Sequence, residues 1–567
     1  MKPLFKIYLC LFASLCFIAA CDDSDEEGIS GFTIDAQEFT LGATGGMESV
    51  KVASGTKWVA KVNQPWVKVM PANGVGSTNC EIVVDSTLSN DVRHAVVTFV
   101  PEGQSKQELK IHQTGYGKMI GLDKYEVEVA NMANDDKRYF DISVTTNVKF
   151  KVEYSQAIGS WVTTNNRTPD VFLDYGARPR TIKMRFKWDM NTDPKERIAS
   201  IKFLPVNEED ELEKEVALTI KQEASPEITD DRRGDSIAIV IASTKLRSMI
   251  SWDTSERLDY WAGITVWERT DKGVTPEQIG RVRSVEFKML NTKEELPAEI
   301  GKIKYLETLV VASNTNTQLL PATYRIGNAL KGLQHLKNLT INAMGITTIS
   351  KSELEGSCQI LTKLDLSSNN FTAIPSDLQS KNFPELTHLS LTGNRRYSSI
   401  TDLNDTRENL GLKFDASNNY NFKNLLKWEK LKSLSLSYNL IYGELPTFIN
   451  SWSHLPEVPA YTDEDIQSND TLNSASDEVK EKLKTIPRIL PNVERFTINL
   501  NFLSGDDLPE WLLYHPRFAR FDPFTLIYTQ DSGKDMNGNV PGFKNEPSNL
   551  EWFYERYPKA RPTLTEY

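Results

Sequence analysis

One pattern recurs between Val282 and Leu512, and it limits the folds open to this chain more than any other feature. Each copy has an aliphatic residue, two variable residues, two apolar residues flanking a polar one, two further residues and an asparagine. The clearest copies run from Leu361 to Asn369, from Leu386 to Asn394 and from Leu431 to Asn439. Because one copy cannot bury so narrow an apolar strip by itself, the copies must stack on one another.

Weaker copies bring the predicted number to eight, and they begin at Val282, Leu306, Leu336, Gly411 and Val493. The alternating apolar pair in each copy predicts a short strand with those two side chains inward. The asparagine is placed to satisfy backbone groups where the chain turns away from the strand. The pattern resembles the leucine-rich repeat, and this resemblance implies an α/β solenoid over residues 282–512, lined on one side by a parallel sheet.

The outward positions of these strands form the expected binding surface, on the concave side of the solenoid. Its candidate contact residues are charged or aromatic: Lys363, Asp365, His388, Lys413, Asp415 and Tyr438. We expect Lys363, His388 and Lys413 to stack as a weakly basic column. Since Tyr438 is almost the only aromatic residue here, the pattern disfavours a sugar-stacking platform and favours polar contact with a protein or an anionic group. A solvated face that binds nothing is the alternative.

An acidic, turn-rich stretch at residues 451–492 breaks the rhythm of the repeat and contains a predicted helix from Asp477 to Ile486. Two interpretations are open. One is a degenerate repeat that starts at Val458 with Tyr461 inward, and the other is a projecting insertion of the kind that often marks a functional loop.

The ends of the repeat region predict caps. Residues 226–281 form a linker followed by a segment similar to the amino-terminal cap of plant-type leucine-rich repeat receptors, with Trp261 and Trp267 near the positions of that cap's cysteines. Residues 513–567 are crowded with aromatic side chains, which favours a closing cap. Within them, residues 531–539 are reminiscent of a calcium loop but lack the distal glutamate, so a surface loop is the preferred interpretation.

The amino terminus has the features of a targeting sequence. Residues 1–20 combine two lysines with an apolar run, which predicts a secretory signal. The run Ile18-Ala19-Ala20-Cys21 resembles the lipobox of bacterial lipoproteins, and this implies that Cys21 is acylated. The acidic tether at 21–31 resembles the export signal that sends lipoproteins of some Gram-negative gut anaerobes to the cell surface. The resemblance implies an outer-membrane lipoprotein exposed on the surface, while a merely solvated tether is the alternative.

Short alternating strands with turn residues between them predict an all-β sandwich at residues 32–116. The spacing of Trp58, Trp66, Arg93 and Gln113 resembles the BACON domain, an immunoglobulin-like module for which the resemblance implies carbohydrate binding. Trp58 and Trp66 are therefore candidate glycan contacts. The competing interpretation places both rings in the core of the sandwich.

A second, more divergent BACON-like sandwich is predicted at residues 117–225. Phe150 and Trp161 take the aromatic places of the first copy, and Ile220-x-Gln222 closes it. The copy lacks the final glycine and has a longer central excursion.

Charge and cysteine usage exclude some classes of function. The 567-residue chain has a net charge of −12, which disfavours non-specific binding to nucleic acid or anionic membranes. Only Cys80 and Cys358 follow Cys21, so a disulfide framework is not expected. None of the six histidines is paired at a metal-site spacing, and the motifs of zinc proteases, serine hydrolases, P-loop and dinucleotide enzymes are absent. We therefore predict no enzyme, no metal and no cofactor.

These features predict a multidomain protein in which two immunoglobulin-like all-β sandwiches precede an α/β leucine-rich repeat solenoid. The predicted function is a non-enzymatic surface lipoprotein that binds a protein partner through its repeats, for adhesion or recognition. The alternative is a glycan-binding accessory protein that captures polysaccharide or mucin through its BACON-like domains. A purely structural spacer is the third hypothesis.

Overall fold

The computed structural model describes residues 31–155, 161–164, 177–207, 212, 214–248, 250, 252–290, 295–313, 325–396, 410–447, 458–503 and 508–521. Most of the regular structure is β-sheet, with few helices. No helix within these ranges is long and apolar enough to cross a membrane. The chain divides into two compact units, one of residues 1–127, 140–187 and 199–220 and the other of residues 128–139, 188–198 and 221–567.

Two sheets form the first β domain. Its strands are β1 (Thr33–Ile34), β2 (Glu38–Leu41), β3 (Gly46–Ala53), β4 (Lys57–Val62), β5 (Val67–Met70), β6 (Asn73–Val75), β7 (Thr78–Val84), β8 (Arg93–Pro101) and β9 (Gln107–Gln113). They are ordered β1-β3-β7-β5 and β2-β9-β8-β4-β6. Alternate residues of both sheets, such as Val50 and Phe99, are buried in one shared core, as the period-two pattern predicts.

The second β domain repeats this arrangement. Its strands are β10 (Ile120–Leu122), β11 (Glu126–Val129), β12 (Tyr139–Thr146), β13 (Phe150–Tyr154), β14 (Val162–Thr164), β15 (Arg180–Trp188), β16 (Arg197–Pro205) and β17 (Val216–Gln222). The orders β10-β12-β15-β14 and β11-β17-β16-β13 match those of the first domain strand for strand, apart from the edge strand β6.

A polar cluster recurs at the same place in the two β domains. In the first, Arg93 Nε donates to Gln113 Oε1 at 2.7 Å, and Gln113 Nε2 donates to the carbonyl of Asp85 at 3.1 Å. In the second, Arg197 Nε donates to Gln222 Oε1 at 2.6 Å, and Gln222 Nε2 donates to the carbonyl of Asp189 at 3.0 Å. Both glutamines are buried, so these bonds satisfy amides that would otherwise be costly to bury.

Helix α1 (Arg232–Lys245) precedes the repeats and covers one end of their core. The side chain of Asp231 accepts a hydrogen bond from the amide of Gly234 and caps the helix. Trp252 stacks on Trp261 with ring centroids 5.6 Å apart, and both rings are buried in the core that the repeats share. No disulfide bond stabilises the described part of this segment. The free cysteines of the described residues, Cys80 and Cys358, are both buried and lie outside it.

Seven of the eight predicted repeats contribute one strand each to an eight-stranded sheet, and the segment before the repeats contributes the eighth strand. Its strands are β18 (Ile264–Val266), β19 (Val282–Leu290), β20 (Thr308–Ser313), β21 (Asn338–Asn342), β22 (Lys363–Asp365), β23 (His388–Ser390), β25 (Ser433–Ser435) and β27 (Arg495–Thr497), in that order. β18 is antiparallel to β19, and every later pair is parallel.

The copy predicted at Gly411 does not join this sheet, and that prediction was wrong. β24 (Lys413–Asp415) lies in a separate three-stranded sheet with β26 (Leu440–Gly443) and β28 (Phe502–Leu503), while β23 pairs directly with β25. The amide of Leu412 bonds to the carbonyl of Asn394 at 2.7 Å, so the chain folds back on the turn it has just left. Alternation of apolar residues is common to both sheets and cannot tell them apart.

Four buried asparagines hold successive turns of the repeat together: Asn369, Asn394, Asn439 and Asn501. Asn439 is representative, since its Oδ1 accepts from the amide of Asn394 at 2.8 Å and its Nδ2 donates to the carbonyls of Leu391 and Leu436 at 3.1 and 2.7 Å. Asn419 differs, because it caps helix α2 (Tyr420–Leu426) by accepting from the amide of Phe422 at 2.8 Å.

Residues 458–492 add no strand to the main sheet, since β25 pairs with β27 directly. They contain α3 (Asp463–Ser468), α4 (Asp470–Asn473) and α5 (Asp477–Leu483), so the predicted helix is present but ends at Leu483. Tyr461, Ile466, Leu472 and Leu483 form a small core of their own. The absence of a strand from residues 458–492 in the main sheet favours an insertion over the degenerate repeat. Helix α6 (Glu510–Leu513) follows β28.

Candidate functional site

The polar face of the eight-stranded sheet, here called the strand face, is formed by the side chains that alternate with the buried apolar pairs. Two rows cross seven adjacent strands in unbroken register. The first row is Ser284, Thr308, Asn338, Lys363, His388, Ser433 and Arg495, and the second is Glu286, Val310, Thr340, Asp365, Ser390, Ser435 and Thr497. At about 4.8 Å per strand, each row is about 29 Å long.

Small hydroxyl and amide side chains dominate both rows, and they bond to one another across strands. Asn338 Nδ2 donates to Thr308 Oγ1 at 2.9 Å, and the hydroxyls of Ser367 and Ser390 are 2.7 Å apart. Beyond β25, Ser437 Oγ donates to Asn499 Oδ1 at 2.5 Å. These lateral bonds hold the side chains in place. Binding of a partner would therefore cost little additional side-chain conformational entropy on this surface.

The charged residues predicted for this face lie side by side on β22 and β23. Lys363 is the direct partner of His388, and Asp365 is the partner of Ser390. The pKa of His388 is lowered by burial and by the neighbouring charge of Lys363, so His388 is neutral at pH 7. Asp365 accepts from the amide of Ser367 at 2.9 Å and from its hydroxyl, so this carboxylate is oriented within its own strand end.

The basic column was predicted to include a third member, and that part of the prediction was wrong. Lys413 and Asp415 lie on β24, in the three-stranded sheet, and Ser433 occupies the position next to His388. Asp415 instead accepts from the amide and hydroxyl of Ser417 at 2.9 and 2.6 Å. The strand face is consequently less charged than the sequence predicted.

Tyr438 lies in the turn after β25 rather than in a row of the strand face. Its backbone is left-handed, with a φ of 58°, and its ring lies 5.1 Å from the guanidinium carbon of the buried Arg395. Neither row contains a Phe, Tyr or Trp residue. The strand face therefore offers no aromatic platform.

Charged side chains flank the strand face at the start of β19 and just before β20 and β21. Arg283 donates to Glu307 at 2.6 Å and to Asp271 at 2.9 Å, and Lys337 donates to Glu307 at 3.0 Å. Although burial raises the pKa of Glu307, the hydrogen bonds from Arg283 and Lys337 lower it overall. Glu307 is thus an ionised group whose charge is already compensated.

The two candidate glycan contacts in the first β domain differ in accessibility. Trp58 is only 1% exposed, its Nε1 donates to the carbonyl of Gly76 at 3.0 Å, and a Cβ on Gly74 would lie 2.8 Å from its ring. Trp58 is a core residue, so its prediction as a glycan contact was wrong. Trp66 is half-buried, with the guanidinium carbon of Arg93 4.2 Å from its ring centroid.

Other predicted features lie outside the described residues, among them Cys21 and the loop at 531–539. Within the described ranges, no group of three or more His, Cys, Asp and Glu side chains is placed to hold a metal ion. One titratable pair was missed because its members are distant in sequence. His94 and His112 lie opposite each other on β8 and β9, with their Nδ1 atoms 2.6 Å apart.

Two family models match parts of the chain. Residues 56–114 match BACON, described as "Putative binding domain, N-terminal", and residues 361–380 match the Leucine Rich Repeat. The BACON model matches the first β domain and not the second. No curated protein matches the chain. The two families indicate a binding role for the protein.

Three solved structures illustrate the partial similarities found. A Bacteroides ovatus GH5 xyloglucanase bound to a XXXG heptasaccharide is 18% identical over 19% of this chain and 22% of its own, with a TM-score of 0.15. The BIR2 ectodomain from Arabidopsis thaliana is 15% identical over 53% of this chain and 90% of its own, with a TM-score of 0.20. The BIR3–SERK2 complex from the same plant is 14% identical over 52% and 87%, with a TM-score of 0.19. At such TM-scores, these likenesses bear on neither fold nor function.

Proposed function

We propose that this protein is a non-enzymatic surface lipoprotein that binds a protein partner through its leucine-rich repeats. The observation that carries the proposal is the strand face, in which two rows, polar except at Val310, run in register across seven strands. A surface of short hydroxyl and amide groups can donate to and accept from a partner's backbone and side chains. Its geometry is held by the lateral bonds of Asn338 and Ser390 before any partner arrives.

A protein partner fits this surface better than a glycan. Sites that hold sugar rings use the faces of aromatic side chains, and neither row of the strand face supplies one. The formal charges of Lys363, Arg495, Glu286 and Asp365 cancel, so a strongly charged polymer is not favoured. The partner would be a surface protein of a host or another component of the cell envelope.

The remaining architecture would present this surface to the outside. Acylation of Cys21 would anchor the chain in the outer membrane, residues 21–31 would form a tether, and the two β domains would act as spacers between the tether and the repeats along the chain. The shared strand order and the matching pairs Arg93–Gln113 and Arg197–Gln222 support the proposal that both β domains are BACON-like. The stacked parallel strands and the buried asparagine ladder support a solenoid over residues 282–512.

The helical insertion at 458–492 is a second contact region in this proposal. Arg488 and Lys484 neutralise Asp465 and Asp463, with Lys484 Nζ 2.8 Å from Asp463. Glu464 and Glu478 are exposed, so they leave a weakly acidic surface for a partner's basic side chains.

Matched arginine substitutions on the two sheets of the repeat region test the proposal. Ser435→Arg places a long cation in the second row of the strand face, whereas Ser417→Arg places the same group on an exposed position after β24. Binding of the purified protein to immobilised host-surface and envelope proteins should be lost in the first variant and kept in the second. Equal binding by both variants would refute the strand face as the binding site.

A glycan array on the same purified protein tests the alternative function. Sugar binding that is lost in Trp66→Ala, with the protein still folded, would favour capture of polysaccharide or mucin. Binding of protein with no response on the array would favour the repeats.

Anchoring is tested separately, in cells. We expect wild-type protein to incorporate a labelled fatty acid and to be cleaved by protease added to intact cells. Cys21→Ala should lose the label. A labelled Cys21→Ala protein, or wild-type protein protected from protease, would contradict a lipid-anchored, surface-exposed location.

A further inference from the structure

Two histidines meet on the solvent face of the first β domain. His94 on β8 and His112 on β9 are direct antiparallel partners, while the adjacent Ala95 and Ile111 face the core. Their rings are 4.6 Å apart between centroids and inclined at 80°. Their Nδ1 atoms approach to 2.6 Å, a separation that requires a shared proton or another electrophile between the two nitrogens.

Glu38 on the neighbouring strand β2 settles which nitrogen of His112 carries hydrogen. Glu38 Oε1 lies 3.0 Å from His112 Nε2, and a carboxylate only accepts hydrogen bonds. His112 therefore donates from Nε2, which leaves the lone pair of a neutral ring on Nδ1, directed at Nδ1 of His94. A carboxylate on the far nitrogen is the arrangement that orients metal-binding histidines in proteins and increases their basicity.

We propose that His94 and His112 bind a divalent transition-metal ion, such as Zn²⁺, Cu²⁺ or Ni²⁺, through their two Nδ1 atoms. Glu38 acts as a positioning residue for His112. Binding displaces the proton shared between the rings, and this proton passes to solvent. Imidazole nitrogen is a preferred ligand for these three ions. The Nδ1 atoms of His94 and His112 face each other and are not hydrogen-bonded to a backbone group of the described residues.

The geometry requires only a small adjustment. With metal–nitrogen bonds of about 2.0–2.1 Å, two nitrogens on a tetrahedral ion lie roughly 3.4 Å apart, so the rings must open by less than about 1 Å. His94 is exposed and can rotate toward solvent, while β8 and β9 keep both Cα atoms in place. Since no third His, Cys, Asp or Glu of the described residues completes the set, water fills the other coordination positions.

Titration calorimetry on the purified protein, without a polyhistidine tag, tests this site with ZnCl₂, CuCl₂ and NiCl₂. We expect one ion per chain for the wild-type protein, and no binding above background for His94→Ala or His112→Ala. His335→Ala, a half-buried histidine of the repeat region, is the matched control and should bind as the wild type does. Identical affinity of wild type and His94→Ala would overturn the proposal.

Two further measurements separate metal binding from a simple histidine hydrogen bond. The electron paramagnetic resonance spectrum of bound Cu²⁺ should show coupling to two imidazole nitrogens in the wild type. Absence of this coupling would refute the assignment. Glu38→Ala should weaken Zn²⁺ binding about tenfold or more, with the metal-free melting temperature unchanged. An unchanged Zn²⁺ affinity in Glu38→Ala would show that Glu38 does not position His112 for metal binding.

Discussion

Asp235 and Arg281 form a bidentate ion pair that joins helix α1 to the first repeat strand. Arg281 donates from Nε and Nη2 to the two carboxylate oxygens of Asp235, each at 2.8 Å, and both residues are buried. The amide of Val282 also donates to this carboxylate at 3.0 Å. The run Arg233-Gly234-Asp235 therefore has a structural role. The carboxylate of Asp235 is buried, and a Cβ on Gly234 would lie 1.7 Å from the carbonyl oxygen of Thr229.

Removing the charge of Asp235 should destabilise the amino-terminal cap of the repeats. In Asp235→Asn, Arg281 keeps its charge in a buried position without its main partner, and the loss of one member of such a pair costs about 3–5 kcal/mol. Urea unfolding combined with hydrogen exchange over residues 232–245 and 282–290 measures this cost. Arg233→Ala, at an exposed position of the same motif, should change stability by less than about 0.5 kcal/mol. Equal effects of the two substitutions would contradict the pair.

The asparagine ladder predicts a second stability effect. Asn439→Ala leaves the buried amide of Asn394 without its acceptor, which costs about 1–3 kcal/mol. It also removes the hydrogen bonds to the carbonyls of Leu391 and Leu436, worth about 0.5–1.5 kcal/mol each, although these carbonyls keep Asn394 and Asn501 as donors. We expect a loss of at least about 2 kcal/mol, measured by urea unfolding of the repeat region. Asn418→Ala, an exposed asparagine after β24, is the control. A neutral Asn439→Ala would show that the ladder does not hold adjacent turns.

His515 predicts a dependence of local stability on pH. It is buried, its Nε2 donates to the carbonyl of Leu490 at 3.0 Å, and its Nδ1 accepts from the amide of Arg517 at 3.1 Å. Burial lowers the pKa of His515 from 6.5 to about 4. Between these values the unfolded chain binds the proton and the folded chain does not, so stability is complete above pH 6.5 and falls as pH drops towards 4.

The loss amounts to roughly 3 kcal/mol across that window, at about 1.36 kcal/mol for each pKa unit. Hydrogen exchange over residues 488–503 at several pH values measures it. His515→Gln keeps a donor for Leu490 but does not titrate, so its exchange should depend less on pH. The same pH dependence in both proteins would assign the effect to other groups.

The two tryptophans of the first β domain should respond differently to truncation. Trp58→Ala empties a fully buried site and should cost about 3–5 kcal/mol, as large aromatic truncations in cores do. Trp66→Ala removes a half-buried ring beneath Arg93 and should cost less. Thermal unfolding of the two variants tests this order, and an equal cost would contradict the difference in burial.

Several elements follow from local sequence pattern. The strands around Leu364, Leu389 and Leu434 are predicted by alternation, and the asparagines after them by a fixed offset, because both are properties of one copy of the repeat. The helix at Asp477 follows from its apolar spacing. The candidate residues Lys363, Asp365 and His388 belong to these same copies, so their place on the strand face could be predicted as well.

Relations between distant residues could not be predicted in the same way. β24 has the alternation of a repeat strand, yet the fold-back of Leu412 onto Asn394 places Lys413 on another sheet. Trp58 is of a residue type that often contacts sugars, and the sequence alone could not exclude that role. Its close packing against Gly74 in the folded domain makes it a core residue.

The sequence by itself determined the repeat, its period and the polar character of the strand face, because each is encoded within about 25 residues of chain. Tertiary structure decided which strands share a sheet, which charges are compensated and which histidines meet. Asp235 and Arg281, or His94 and His112, become partners only when separate strands and helices pack, and no local pattern records that packing.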